Sequence, residues 1–251
     1  MDIWHYFDVT HRAHTYCNPV SAPTVRDLEA VLDLQPGMRV LDIASGLGEM
    51  LIGFAERHGV RGVGVELSHA FLHRAEARQA ERVPDADIRF LEMKGEDYVL
   101  DDEGPFDVVM CIGASWIWNG YRGTLEALKR FVKPGGLIVV GEPYWRQSPT
   151  ATYLEMEELT HDQFPTLDRY REDLAEQDLS LVWLRGVSRQ EWDEFEMLQT
   201  VSFDRYAREH PDDEDLEAIR TKLRRNKEAY LRWGRDTLGF AFWVLRAPGA
   251  A

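Results

Sequence analysis

The chemistry open to this chain is concentrated in a few acids and small residues at the ends of apolar runs. In VLDIASGLGEM (40–50) an apolar run stops at Asp42 and turns through Ala44, Ser45, Gly46 and Gly48 before reaching Glu49. A turn of this kind lets backbone amides and a helix N-terminus come close to a ligand. A turn built for pyrophosphate has the spacing G-x-G-x-x-G, and aligned on Ala44 its third glycine would fall on Glu49, where a carboxylate would face the phosphate charge. The spacing present is instead D-x-A-x-G-x-G. GVGVEL ends on Glu66, about 20 residues past the turn, where an acid takes both hydroxyls of a ribose. Glu66 therefore indicates an adenosine group without choosing among adenosine-bearing ligands.

Two aromatic stretches follow other strand ends. GASWIWNGY (113–121) and GEPYW (141–145) place Trp116, Trp118, Tyr121, Tyr144 and Trp145 where they form a wall suited to a cationic or aromatic partner. Glu142 leaves a buried strand in a proline-bounded turn and is the expected acid–base or orienting carboxylate. His11, His14 and Cys17 recur every three residues, but a metal site wants a fourth ligand and tighter pairs, so no metal is expected. The segment reads instead as a cap over the site, with His14 or Tyr16 reaching the bound partner. The aromatic stripes at Trp192, Phe195 and Leu198 and at Tyr230 and Trp233 read as core.

These residues need a scaffold, and the pattern supplies one. RVLDI, RGVGVEL, IRFLEM, FDVVMCI and LIVVGEP are apolar runs without strict alternation, separated by helical patterns, which indicates a parallel sheet covered on both faces. TVRDLEAVLDL (24–34) puts Val25, Leu28, Val31 and Leu32 on one face, with Thr24 and Asp27 resembling a capping box. MLIGFAERHG reads as a helix closed by Gly59, SHAFLHRAEARQAERV as a helix capped by Ser68, and GTLEALKRFVKPGG as a helix ending on Pro-Gly-Gly. Residues 146–178 read as mostly helical, LSLVWLRGV (179–187) as a sixth strand and TLGFAFWVLRA (237–247) as the last. Leu216, Ile219, Leu223, Tyr230 and Trp233 mark one apolar stripe. The expected organisation is a single domain over 1–251, with an N-terminal cap segment (1–22) and a helical lid insertion (188–236).

Composition bounds the partners. The 251 residues hold 44 acids against 29 bases, a formal net charge of −15, which disfavours a nucleic-acid backbone as substrate. No apolar run approaches the roughly 18 residues of a membrane span, and the start, MDIWHYFDVTHRAH, has no leader pattern. Two cysteines far apart, Cys17 and Cys111, fit a reducing compartment, with the cytoplasm expected.

The turn resembles motif I of the class I S-adenosylmethionine-dependent methyltransferases, E/D-x-G-x-G-x-G, with Ala44 in place of the first glycine. FDVVMCIGASW is similar to that family's fourth-strand motif and LKRFVKPGGLIVVGEP to its helix–turn–fifth-strand signature, so the likeness spans residues 25 to 145. GEM, GASW, GEPYWRQ, the C-terminal GFAFW, H-x-x-H…N-P and H-P-D-D-E-D extend it over nearly the whole chain, to a group of uncharacterised bacterial small-molecule methyltransferases.

The resemblance implies a Rossmann-like α/β fold: a seven-stranded, mostly parallel sheet with an antiparallel last strand, plus the helical lid. It implies S-adenosylmethionine as cofactor, leaving as S-adenosylhomocysteine, held by Asp42, Ala44, Ser45, Gly46, Gly48, Glu66, Leu67, Gly95, Glu96, Cys111 and Gly113. The family's adenine-binding acid is replaced here by Lys94, so Glu96, Asp97 or a backbone carbonyl must serve. Expected catalytic residues are Glu142, Tyr144 and His14; expected acceptor contacts are Tyr16, Trp116, Trp118, Tyr121, Tyr144 and Trp145. The expected reaction is methyl transfer to a small molecule, with an RNA methyltransferase and a non-catalytic adenosyl-binding module as alternatives. No nucleic-acid or membrane partner is expected, and a homodimer is left open.

Overall fold

A computed structural model describes residues 1–249. The first helix, α1 (Ile3–Thr10), and a loop precede α2 (Ala22–Leu32). Five strands and three helices follow: β1 (Arg39–Ile43), α3 (Glu49–His58), β2 (Arg61–Glu66), α4 (His69–Arg82), β3 (Ile88–Glu92), β4 (Phe106–Ile112), α5 (Tyr121–Leu128) and β5 (Val132–Trp145). Then come α6 (Ala151–Glu157), α7 (Leu167–Ala175), β6 (Ser180–Gly186), α8 (Arg189–Glu209), α9 (Leu216–Ala229) and β7 (Leu238–Arg246). The strands form one seven-stranded sheet in the order β3-β2-β1-β4-β5-β7-β6, with β7 antiparallel to both its neighbours. The order reverses between β1 and β4, and ligands of such sheets bind beyond the carboxyl ends of the strands at that point.

β1 is buried along its whole length and β4 nearly so, which explains runs without alternation: both faces are covered by helices. Two large apolar clusters, one on each face, are anchored by Phe54, Phe240 and Phe242 and by Phe106, Tyr170 and Trp243.

Two local expectations are corrected. The second helix begins at Ala22 and not at Thr24, because Ser21 is its N-cap, accepting from the Thr24 amide, and Pro23 suits the first turn. Thr24 is buried and gives its hydroxyl to Glu191. The fifth helix stops at Leu128 rather than running to Pro-Gly-Gly: Pro134 has no amide to continue it, Gly135 takes a left-handed φ of 74°, and 133–136 bulge out at the start of β5.

The N-terminal segment is gripped from both sides. Arg74 and Arg78 of α4 donate to main-chain carbonyls of His11, Arg12, His14 and Thr15, at 3.1–3.4 Å. On the other side, Tyr6 and Val9 of α1 pack with Phe203 and Tyr206 of α8 and with Ile219 and Leu223 of α9. The apolar stripe read over 216–233 is thus divided: its first half packs on α1, while Tyr230 joins the main core and Trp233 a separate patch around Trp145 and Tyr153. α1, α8 and α9 form one packed roof over the carboxyl ends of β1 and β4.

Glu191 of α8 ties that roof to the start of α2. Its carboxylate accepts from the Ser21 amide (3.1 Å) and hydroxyl (2.7 Å), and from the Ser188 amide (2.7 Å) and hydroxyl (2.8 Å). One side chain therefore caps α2 and α8 together. Although burial opposes ionisation, these donors hold Glu191 well below the usual carboxylate range, at about 2.

Candidate active site

Beneath the roof lies a cavity of about 600 Å³ that starts at the glycine turn and ends among aromatic side chains. Its floor is the strand-end turn. Ala44, Gly46 and Gly48 all have left-handed φ, 60°, 56° and 67°, which winds the chain tightly from β1 into α3. Ser45 donates its amide to Val65 of β2 at 3.0 Å, while its buried hydroxyl has no partner among the described residues. Asp42, Ala44, Ser45, Gly46, Glu66 and Gly113 all line the cavity.

The two carboxylates differ in how they are held. Glu66 accepts from the amides of Gly46 (2.8 Å) and Ser68 (2.7 Å), which fixes its plane and leaves further lone pairs for a ligand. Among the described residues Asp42 finds no hydrogen-bond donor, and burial, reinforced by the nearby Glu66, pushes its pKa up to about 8. A buried carboxylate without a partner is costly unless a ligand supplies donors or a cation. Glu49 lines the cavity too, but its charge is taken by Arg78 (3.2 Å) and Arg82 (2.6 Å). Among the described residues, neither lysine nor arginine lines this cavity. An ammonium, a diol and an uncharged ring fit these walls; a pyrophosphate does not.

The other residues expected at the cofactor do not line this cavity. Gly48 faces away from the cavity: a Cβ there would strike Phe90 and Ala75, so its role is to let the turn pack against β3 and α4. Cys111 is fully buried between β1 and β5. Gly95 sits against Ile43 and Ile117, and neither it nor Glu96 lines the cavity. Leu67, next to Glu66, is an apolar side chain left 39% exposed.

The residues expected on the acceptor side are divided between two cavities and the core. Tyr16 and Trp116 line the cavity; the other expected aromatic residues do not. Glu142, Tyr121 and Trp145 face a neighbouring cavity of about 880 Å³ at the ends of β4 and β5, sharing only Gly113 and Trp116 with the first. There the buried Glu142 accepts from the Ser115 amide at 3.1 Å, holding the turn that carries Trp116, and burial lifts its pKa to about 7. Trp145 donates its indole N–H to His161 O at 2.7 Å. Trp118 and Tyr144 face neither cavity: Trp118 packs against the core, and the Tyr144 ring lies over Gly239.

The far wall is made by residues that the sequence did not single out: Trp4, Tyr6 and Phe7 of α1, Phe195 and Gln199 of α8, and Asn226 of α9. Phe195 belongs to a stripe that reads as core, and its spacing holds no sign that it faces a cavity. Of the cap histidines it is His11 that lines the cavity. His14 lies behind it, ring centroids 4.8 Å apart, and donates Nε2–H to Phe195 O at 2.9 Å. Cys17 rests against Gly46, and burial pushes its thiol up to about 12.

The histidine–cysteine spacing of the cap does not gather into a metal cluster. Among the described residues, the one group with ligand atoms close enough is His5, Asp213 and Asp215. These atoms are already paired, His5 Nε2 with Asp213 at 2.9 Å, the Tyr206 hydroxyl with Asp213 at 2.6 Å, and the terminal amine with Asp215 at 3.5 Å.

Comparison with known proteins agrees with this geometry. The sequence model of a methyltransferase domain family matches residues 40–136. The chain is 31% identical to the uncharacterised protein YjhP of Escherichia coli K12, over 98% of this chain and all of that one. It resembles the crystal structure of an S-adenosylmethionine-dependent methyltransferase from Thiobacillus denitrificans in complex with S-adenosyl-L-homocysteine, at a TM-score of 0.90 and 33% identity, over 98% and 100% of the two chains. A Geobacter sulfurreducens S-adenosylmethionine-dependent methyltransferase, also in complex with S-adenosyl-L-homocysteine, gives 0.91 and 33%, over 97% and 98%. With its full-length relatives and the carboxylate-lined turn at the β1–β4 switch, this chain belongs to the S-adenosylmethionine-dependent methyltransferases.

Proposed function

We propose that the chain methylates a small molecule held under the roof of α1, α8 and α9. The observation that carries the reading is the continuity of one cavity, from the Asp42 and Glu66 carboxylates to the aromatic wall of Trp4, Phe7 and Phe195. When bound, S-adenosylmethionine supplies an electrophilic methyl on a positively charged sulfur. Asp42 would hold its ammonium, Glu66 its ribose hydroxyls, and the free Ser45 hydroxyl a further polar atom. Leu67 and the turn carrying Gly95 and Glu96 would flank the adenine at the open side. The protein's part in the reaction is then to align the acceptor about 3 Å from that methyl and to keep water out.

Residues 1–22 and 188–236 would act together as the cover that opens for exchange, joined through Glu191. The net charge of −15 and a cavity without basic lining favour a small molecule over RNA. The two free cysteines suit the cytoplasm.

The test has two parts. S-adenosylhomocysteine should raise the melting temperature by several degrees; no shift at millimolar ligand would sink the reading. With methyl-labelled cofactor and a cell extract, label should appear in a low-mass product. Label in RNA would favour the RNA alternative, and cofactor binding with no transfer to any fraction would favour a non-catalytic module.

A further inference from the structure

We propose that the acceptor is a neutral amine on an apolar or aromatic scaffold, its N–H groups met by lone pairs of His11 and Gln199. This rests on the methyl-transfer reading above.

The tautomer of His11 is set by its neighbours. Nδ1 lies 3.1 Å from Phe7 O and 3.1 Å from the Thr10 hydroxyl oxygen. The Thr10 hydroxyl hydrogen is directed to Tyr6 O at 2.8 Å, so both neighbours of Nδ1 are acceptors. Nδ1 therefore carries the hydrogen, and Nε2 keeps the lone pair on a ring that lines the cavity. Gln199 is oriented in the same sense. Its amide nitrogen donates to the Glu196 carboxyl at 3.4 Å, which leaves Oε1 without a partner among the described residues. Asn226 likewise donates to the Tyr6 hydroxyl at 3.4 Å. At the far end of the cavity each amide thus has one N–H engaged, and His11 Nε2 and Gln199 Oε1 remain as acceptors.

Three acceptor classes can be weighed against that end. A carboxylate or phosphate would meet lone pairs and no cation, and behind Gln199 lie Glu196 and Glu157, two carboxyls raised by burial, Glu196 to about 7. An anion there is an unpaired buried charge. A hydroxyl must lose its proton as it is methylated, and His11 cannot take it, because burial beside His14 lowers its pKa to about 3. A neutral amine needs no base. As the carbon–sulfur bond breaks, its lone pair forms the nitrogen–carbon bond, sulfur leaves as a neutral thioether, and the positive charge passes to nitrogen, which keeps its protons until the product departs. That charge develops among the rings of Trp4, Phe7 and Phe195 and on the side of Glu196, where it is stabilised.

The experiment uses the full chain saturated with S-adenosylhomocysteine. It is titrated calorimetrically with a panel in which each aryl or alkyl scaffold comes as amine, alcohol and carboxylate. The expected result is that the tightest ligands are amines, at least tenfold above their alcohol and carboxylate counterparts. Gln199→Leu and His11→Phe should each remove most of that preference while S-adenosylhomocysteine binds with unchanged affinity. Equal or tighter binding by alcohols or carboxylates, absence of binding by every amine, or an amine preference that survives both substitutions overturns the proposal. Failure of S-adenosylhomocysteine itself to bind would instead remove the methyl-transfer reading.

Discussion

Asn18 occupies the space that a side chain on Gly113 would fill. Its amide reaches Ile112 O at 3.4 Å, and a Cβ built on Gly113, whose φ is +73°, would run into the Asn18 oxygen. The cap is therefore plugged into the carboxyl end of β4 at the edge of the cavity, and the residue that admits the plug is a glycine.

Gly113→Ala should expel that plug. The left-handed backbone and the clash together should cost about 1–3 kcal/mol of stability, and the displaced cap should weaken S-adenosylhomocysteine binding about tenfold, roughly the worth of one or two lost contacts. Denaturant unfolding and calorimetric titration measure the two effects. An alanine variant with wild-type affinity would show that the cap does not depend on this contact.

Ala44 is the departure from the family's glycine pattern, and the structure gives it a cost. At φ 60° its Cβ crowds the following carbonyl, as it would not in glycine. Ala44→Gly should raise stability by about 0.5–1 kcal/mol, the relief of strain outweighing the entropy that glycine adds to the unfolded chain. The urea midpoint should move up, with S-adenosylhomocysteine affinity retained.

Cofactor binding should release a proton. In the free protein Asp42, at a pKa of about 8, is protonated at pH 7. An ammonium placed against it favours the carboxylate, lowering that pKa and expelling the proton. Calorimetry of S-adenosylhomocysteine binding in buffers of different ionisation enthalpy should show release near pH 7, fading as pH rises past 8. Asp42→Asn should bind more weakly and abolish the release.

Glu191 should make the joint between cap and lid acid-sensitive. Its folded pKa, about 2, lies below the ordinary 4.5 taken for a free glutamate. A depressed carboxyl stabilises the fold above its unfolded pKa, and that contribution is lost as pH falls toward the folded value. The stability gap between wild type and Glu191→Gln should therefore be widest near neutrality and narrow below about pH 4.5. Denaturant unfolding at a series of pH values would show it; a gap constant from pH 7 to 3.5 would count against the role.

The order of elements, the sheet and the cofactor turn were legible in the chain because their signals are local. Val40, Leu41 and Ile43 form a run buried on both faces, Gly59 and Ser68 are helix ends within one turn of what they cap, and Asp42, Gly46 and Glu66 stand at fixed offsets from strand ends. Such features depend on backbone geometry a few residues long, and composition and spacing encode that directly. Local reading failed first where two segments share one group. Ser21, and not Thr24, caps α2, and Glu191 from the far end of the chain completes that cap.

The aromatic far wall of the cavity was not legible, for a related reason. Apolar periodicity tells which face of α1 or α8 is buried, but not what it is buried against. Phe7 and Phe195 line the same cavity from opposite ends of the chain, and the tautomer of His11 depends on Phe7 and Thr10 folding around it. Conversely, Tyr144 and Trp118 had the right chemistry and adjacent positions, and the strand and turn that carry them direct them elsewhere. The sequence by itself determined a methyltransferase scaffold and the acids of its cofactor turn. Which side chains line the far end of the cavity was decided only by the docking of α1 on α8 and α9, since that docking is long-range packing with no local pattern to announce it.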